Sequence, residues 1–437
     1  MYRLGVTLII VMVVASVVAQ DSLRRELDSL TYQQYLNKDY KNLIETGKKA
    51  REQHINFYYL NYRTAIAYYE LKNYAKAAEF YRKTLAETPD DPILQESLYY
   101  SYLLSGQKEN AAIVARSLAP HTQVTIGYKP SAVDYISLSG GYMTNDNTLD
   151  IRSDFAGNDS VNQYRDMIFT SLGLGFNLSS RSRFKLGYQV YNTNFEQYTA
   201  AGLAQTDKLT QHQLVGVLEF FTENNVLWGV AGGYYFIELF DRTAIYTLGG
   251  GGKGFGPGTG RIFTTSGGKS VSAFSALVFL NKRFAYTLPE IAATYSNFGG
   301  GHQYQVKGSL TYYPLGNLNF YGTTAAAVIR NQDAWTDTQL IFSQSLGVKL
   351  TKQLWLDGNI SLGNHRNYVS ERSFLVYDTY DPVKAIAGLS LSCFFRDVML
   401  SAGYQWQQRE GYAYSAINYS AYKYNNHLLN IAFTWNL

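Results

Sequence analysis

From about residue 130 to Leu437, apolar side chains recur at every second position, and no other feature of the chain restricts its fold as much. Val398, Leu400, Ala402, Tyr404 and Trp406 alternate with Met399, Ser401, Gly403, Gln405 and Gln407. Ile168, Thr170, Leu172, Leu174, Phe176 and Leu178 alternate with Phe169, Ser171, Gly173, Gly175 and Asn177. Phe184, Leu186, Tyr188 and Val190 alternate with Lys185, Gly187, Gln189 and Tyr191. A period of two belongs to a strand with unlike faces. The segments run about 10–14 residues, as tilted strands that cross a bilayer must. Composition narrows the choice. Charged residues are only 16% of the chain, yet it is polar on average, with a mean hydropathy of −0.20. It holds 39 Tyr and 37 Gly. A disordered chain is poor in aromatics, and a helical membrane protein repeats apolar runs of about 20 residues, so neither class fits. A soluble β-sandwich is the remaining rival to a membrane barrel.

The connections alternate as well. Short turns are expected at 178–182, 222–225, 281–283, 314–317, 349–352 and 395–397. Longer loops are expected near 145–165, 199–207, 240–270, 298–302, 331–336, 367–382 and 411–423. Counting segments predicts a 14-stranded antiparallel transmembrane barrel over 133–437, with both barrel ends in the periplasm. Leu429, Ile431, Phe433, Trp435 and Leu437 alternate to the last residue. Phe433, Trp435 and Leu437 then look like the terminal signal that barrel-assembly machinery recognises in outer-membrane proteins.

Arg3 precedes an apolar run from Leu4 to Val14, and Val17 and Ala19 sit three places and one place before a cleavage point. Residues 1–19 are expected to be a secretory signal peptide. An uncleaved anchor helix is the alternative. Residues 20–121 carry more charge and a repeat of period 34: Asp39-Tyr40, Asn73-Tyr74 and Gln107-Lys108 keep the step, as do Leu43, Ala77 and Ala111, and Lys38, Lys72 and Gly106. Residues 122–132 are expected to be a linker, with Val124–Tyr128 weighed as a further strand. The middle copy, Ala65-Ile66-Ala67-Tyr68-Tyr69 followed by Asn73-Tyr74-Ala75-Lys76-Ala77-Ala78-Glu79-Phe80-Tyr81, Leu85 and Pro89, resembles the tetratricopeptide repeat (TPR). Asn61 stands where that repeat usually has Trp. The fold class expected is therefore α+β and multidomain, a helical TPR stack followed by the barrel. The whole layout resembles TPR-plus-barrel outer-membrane proteins of the YaiO-like kind. That resemblance implies a periplasmic docking arm. By TPR offsets, Tyr59, Tyr62, Tyr69 and Tyr100, with Tyr32 and Tyr35, would line a concave groove for a periplasmic protein or polysaccharide cargo.

Little in the sequence points to catalysis. The run Gly249–Gly260 suggests a phosphate loop but lacks its pattern, and the near match Gly268-Lys269-Ser270 has Phe263 where the pattern needs Gly, so a surface loop is expected. The barrel histidines, His212, His302, His365 and His427, have no nucleophile signature beside them, and they are read as solvated rim groups. No metal-ligand spacing occurs, and no cofactor is expected. The single Cys393 excludes an intrachain disulfide. A net charge of +4 is too small to argue for nucleic acid. The expected lumen face carries Lys185, Glu219, Lys307, Lys349, Asp357 and Arg409. Charges inside a barrel either line a wet path or pair across a filled interior. Three functions stay open: export of a polymer or protein cargo, a non-conducting anchor that docks periplasmic proteins, and a barrel-rim enzyme.

Overall fold

The computed structural model describes residues 21–146, 160–199, 202–222, 225–240, 269–298, 301–332, 337–377, 381–414 and 419–437. The expected signal segment 1–19 and the glycine-rich stretch 249–260 lie outside the described residues. The chain divides into a helical unit, through Pro130, and a barrel unit from Ser131, with the turn 313–318 grouped with the first.

The helical unit runs through α1 (21–36), α2 (Tyr40–Glu52), α3 (Tyr58–Glu70), α4 (Tyr74–Leu85), α5 (Pro92–Leu104), α6 (Lys108–Ser117) and α7 (Pro120–Thr125). From α2 to α6 each helix packs on the next. The period of 34 has a local cause. Lys38, Lys72 and Gly106 all adopt left-handed backbone, with φ of 55°, 61° and 78°. Each closes the preceding helix with the same bond pair, Lys72 N donating to Tyr69 O at 2.9 Å and Asn73 N to Tyr68 O at 2.9 Å in the middle copy. Lys38 and Asp39 repeat this on Tyr35 and Gln34, and Gly106 and Gln107 on Leu103 and Tyr102. This is a left-handed C-terminal cap that satisfies carbonyls the helix leaves open. Asn73 then caps α4 by accepting from Lys76 N, and Asp91 caps α5 by accepting from Ile93 N and Leu94 N, with Pro92 at the first turn. Leu43, Ala77 and Ala111 are all buried, as is Ala65. Small side chains there let helices approach closely. The stretch weighed as a strand or linker, 124–128, is instead the end of α7 and its turn, where Tyr128 N donates to Gln123 O at 2.9 Å. Pro120, at a first-turn position where it needs no N–H partner, starts that helix.

The barrel unit has 14 strands in a closed antiparallel ring. They are β1 (Val133–Asn145), β2 (Ser160–Asn177), β3 (Ser182–Thr199), β4 (Gly202–Phe221), β5 (Val226–Phe240), β6 (Lys269–Lys282), β7 (Thr287–Ser296), β8 (His302–Tyr312), β9 (Phe320–Gln332), β10 (Asp337–Lys349), β11 (Leu354–Gly363), β14 (Val383–Phe395), β15 (Val398–Tyr414) and β16 (Tyr419–Asn436). β12 (Val369–Ser370) and β13 (Leu375–Val376) form a separate two-stranded sheet between β11 and β14. Consecutive ring strands pair, and β1 closes on β16 from Tyr135↔Asn436 to Asn145↔Asn426.

The apolar alternation faces outward. Ile168, Leu172, Tyr188, Leu400 and Tyr404 are exposed, as are Leu429, Ile431, Phe433, Trp435 and Leu437 on the closing strand. A continuous exposed apolar belt of this extent is a surface that meets lipid. Two expectations are corrected. Several strands reach 17–20 residues rather than 10–14, so that β3 and β4 consume most of the loop expected at 199–207, and β15 and β16 much of that at 411–423. Hydropathy missed these ends because the outward positions there turn polar, as at Asn192 and Asn194, while the ladder continues. The inward face is also not uniformly small or polar. Val215, Val217, Ala231, Leu277 and Phe279 form one buried cluster inside, and Ile329, Ile341, Val383 and Ile386 belong to another.

Candidate functional site: a segment folded into the lumen

The interior apolar clusters exist because something packs on them. The connection after β11, whose residues 367–382 are expected as an outer loop, leaves the long-loop end of β11 and over the described residues 364–377 runs down inside the barrel. It is anchored first at His365, which is fully buried rather than solvated. The ring Nδ1 faces two carbonyls, Val383 O at 2.9 Å and Gly363 O at 3.1 Å, so Nδ1 carries the proton. Nε2 is then free to accept from Ser361 Oγ at 2.7 Å. Burial holds this imidazole below the usual histidine range, against the opposing pull of the two carbonyls. The rings of Tyr368 and Tyr377 stack on each other at 6.1 Å and both contact His365.

Below this anchor the barrel wall supplies side-chain amides where a strand would supply backbone. Gln303 Nε2 donates to Asn367 O at 2.7 Å, and Gln305 Nε2 donates to Val369 O at 2.8 Å while its Oε1 accepts from Val369 N at 3.1 Å. The hairpin β12–β13 turns at Glu371, Arg372 and Ser373, whose φ values are 46°, 55° and 76°. Consecutive left-handed non-glycine residues cost about 1 kcal/mol or more each, so the tip must be held from outside. Tyr235 Oη donates to Ser373 O at 2.9 Å, and Ser275 Oγ donates to Ser373 Oγ at 3.0 Å. Arg372 bonds Glu219, reaches Glu290 at 3.3 Å, and lies over the Phe279 ring at 4.0 Å. Lys185 completes the network on Glu219 at 3.0 Å. Phe374 packs where Gly187 leaves room; a Cβ at Gly187 would clash with the edge of its ring. Glu219 lies two residues from the end of β4 and Glu290 three from the start of β7, both at the short-turn end. The tip has therefore crossed the interior from one end toward the other.

Beside the tip lies a cavity of about 370 Å³, lined by Tyr135, Lys185, Glu290, Lys307, Arg372 and Phe374 among others. The remaining charged positions expected inside also have inward partners. Lys349 sits over the Trp355 ring at 4.4 Å, and Asp357 accepts from Tyr321 Oη. Arg409 lies over the Tyr164 ring at 4.3 Å and donates to Gln407 Oε1 at 3.1 Å and Asp381 O at 3.4 Å. Asp381 accepts from Tyr424 Oη at 2.6 Å, and burial pushes its carboxyl up to about 7. Among the described residues no group of three or more His, Cys, Asp or Glu is placed to hold a metal ion.

Sequence reasoning missed Gln303, Gln305, Tyr235, Ser275, Ser373 and Arg372. A signal was present in the wall. Leu214-Val215-Gly216-Val217-Leu218, Ala326-Ala327-Val328-Ile329 and Leu340-Ile341-Phe342 are continuous apolar runs, and a strand covered on both faces reads that way.

In the helical unit the four expected groove tyrosines do not share one environment. Tyr62 and Tyr69 are half-buried on the helix core, with Tyr100. Burial raises both phenols above the usual range. Tyr35, Tyr58 and Asp91 add to this for Tyr62, and Tyr74, Glu70, Tyr100 and Glu96 for Tyr69. Tyr59 is exposed and, with Tyr32, flanks the Arg63 guanidinium at 5.2 and 5.1 Å; that guanidinium is tied to Asp28 at 2.6 Å.

No family model matches the chain, and no curated protein matches it. Several solved structures resemble it at low identity. The P. putida toluene transporter TodX is 9% identical, with 72% of this chain and 92% of that one covered at a TM-score of 0.46. A Pseudomonas aeruginosa FadL homologue is 10% identical, with 69% and 90% covered at 0.44. The translocator domain of the autotransporter NalP from Neisseria meningitidis is 10% identical, with 76% and 98% covered at 0.30.

Proposed function

We propose that this chain is an outer-membrane transport barrel whose path is controlled by the segment 364–377. The observation that carries this reading is the latch of Arg372 on Glu219 and Glu290, made at the short-turn end by a connection that starts at the other. Ion pairs and single hydrogen bonds to wall side chains are releasable contacts, and at the tip they stand beside the Phe374 packing on the Val215–Phe279 cluster. The helical unit is then a periplasmic arm of TPR kind that docks a protein or polysaccharide cargo, a reading supported by the identical caps 34 residues apart. Single-channel recording in planar bilayers tests the controlled path. The unaltered chain is expected to conduct weakly. Replacing 366–377 by a short Gly-Ser link is expected to raise conductance several-fold, and Arg372→Ala to increase the frequency of brief openings. A closed barrel after the replacement would leave the anchor reading standing. That second reading has its own support in the full burial of His365 and the packing of Tyr377.

A further inference from the structure

Three of the four barrel histidines repeat one geometry on the outer surface. Tyr188 Oη meets His212 Nδ1 at 2.7 Å, Tyr295 Oη meets His302 Nδ1 at 2.6 Å, and Tyr404 Oη meets His427 Nδ1 at 2.7 Å. In each case Tyr and His belong to the two strands of one hairpin joined at the long-loop end, β3–β4, β7–β8 and β15–β16. In each case the His lies two residues before the residue opposite the Tyr, which is Leu214, Tyr304 or Leu429. The ring pairs are parallel to within 23°, 30° and 22°.

Each stands above a similar outward stretch. Toward the short turns the outward positions are apolar or Gly: Leu214, Gly216, Leu218 and Phe220 below His212; Tyr304, Val306, Gly308 and Leu310 below His302; Leu429, Ile431, Phe433 and Trp435 below His427. Toward the loops they turn polar: Thr210 and Lys208 above His212, Asn425 and Lys423 above His427. Eight residues of tilted strand cover about 20 Å of height, close to the apolar band of a membrane barrel. His212 and His427 therefore mark the boundary where hydrocarbon gives way to headgroups, and His302 stands at the loopward end of the same kind of apolar stretch.

One of the three shows what the position accepts. His427 Nε2 meets the Asp146 carboxylate at 3.2 Å. Among the described residues no carboxylate lies on the His212 or His302 ring. Each has a cation on the same face: Lys208, four residues from His212 with Glu238 opposite the intervening Thr210, and Arg330, opposite Tyr304 and donating to Thr338 Oγ1 at 2.8 Å, beside His302. The other titratable groups facing these rings are Tyr188, Tyr234 and Glu238 for His212, Tyr295 and Tyr304 for His302, and Tyr404, Lys423 and Glu410 for His427. A Tyr hydroxyl donating to Nδ1 leaves the proton on Nε2, which then donates outward. Once the ring is charged the same hydroxyl accepts from Nδ1, so the pair survives either state.

We propose that His212 and His302, with Lys208 and Arg330, bind the phosphate of an anionic lipid headgroup, and that Asp146 fills the equivalent position on His427. This does not depend on the barrel conducting. The test uses the full refolded chain in detergent micelles doped with phosphatidylglycerol or phosphatidylcholine, with retained lipid counted by native mass spectrometry. The chain is expected to retain phosphatidylglycerol in preference to phosphatidylcholine. The double variant His212→Phe/His302→Phe is expected to lose about ten-fold in apparent affinity, the worth of a charge-assisted hydrogen bond. His427→Phe is expected to lose nothing, and Asp146→Ala to gain one further lipid. Equal retention of the two lipids, or a double variant that binds as the parent does, overturns the proposal. So does displacement of the lipid by millimolar inorganic phosphate, which makes the site one for free anions. If the double variant misfolds, the lipid preference of the unaltered chain decides.

Discussion

Asp381 and His365 stand at the two ends of the inserted segment, and protons act on them in opposite senses. Burial raises the Asp381 carboxyl to about 7, far above its unfolded value, so the folded state holds a proton there that the unfolded state releases. Its contribution to stability is largest at low pH and declines as pH rises from about 4 to about 7. His365 is held below the histidine range, so the unfolded chain takes up a proton first. Its contribution is full above about 6.5 and is lost as pH falls below that. The two oppose each other in the mildly acid range, which makes single variants informative. Asp381→Asn is expected to remove the loss of stability between about pH 5 and pH 7, read as the urea midpoint of heat-modifiable migration in vesicles. The same midpoint plotted for His365→Asn should flatten on the acid side. If both curves overlay that of the parent chain, these two groups do not anchor the segment. Neither residue is special in the sequence. His365 reads as a rim histidine, and only its three ring partners distinguish it.

At the scale of the element, a strand in this barrel has an outward face set by lipid and an inward face set by whatever fills the interior. The outward face is legible residue by residue, because the solvent it meets is the same along its length. Leu400 points out and Ser401 in, as the alternation requires. Leu400→Arg is expected to destabilise by about 2–4 kcal/mol if it lies near the midplane, and Ser401→Arg by much less. Urea titrations of the two variants in lipid vesicles check this, and equal losses would reverse the face assignment. The inward face is only partly legible. Lys185 and Glu219 are visible as charges, and they do meet each other. The residue that joins them, Arg372, comes from a connection whose own sequence resembles any loop. The hairpin β12–β13 has two residues in each strand, too few for a period to show.

At the scale of the whole molecule, two architectures follow one another in the chain, and their repeats differ in kind. The helical unit repeats by local hydrogen bonds, since each cap is made within one turn of chain. It is therefore expected to fold alone when residues 20–130 are expressed as a fragment. Ala77→Trp, at a fully buried position, is expected to cost about 1–3 kcal/mol by overpacking and lower Tm by several degrees. Circular dichroism melts measure both, and a fragment without helix would remove the repeat reading. Tyr62→Ala and Tyr69→Ala separate packing from docking in the same fragment. Loss of melting temperature with an unchanged set of crosslinked envelope partners would make those side chains part of the core.

The amino-acid sequence by itself determined the 14 strands, the face each turns to lipid, and the 34-residue helical step. All three rest on periodicity along the chain, which a single regular element expresses without reference to any other. The tertiary structure alone decided that the connection after β11 turns inward. Asn367 and Val369 meet glutamines 64 residues away, and Arg372 meets a glutamate 153 residues away. Such contacts exist only after the ring has closed and placed β4, β7 and β8 around one interior. No local pattern in 364–382 encodes them, because the partners that hold the segment belong to the wall.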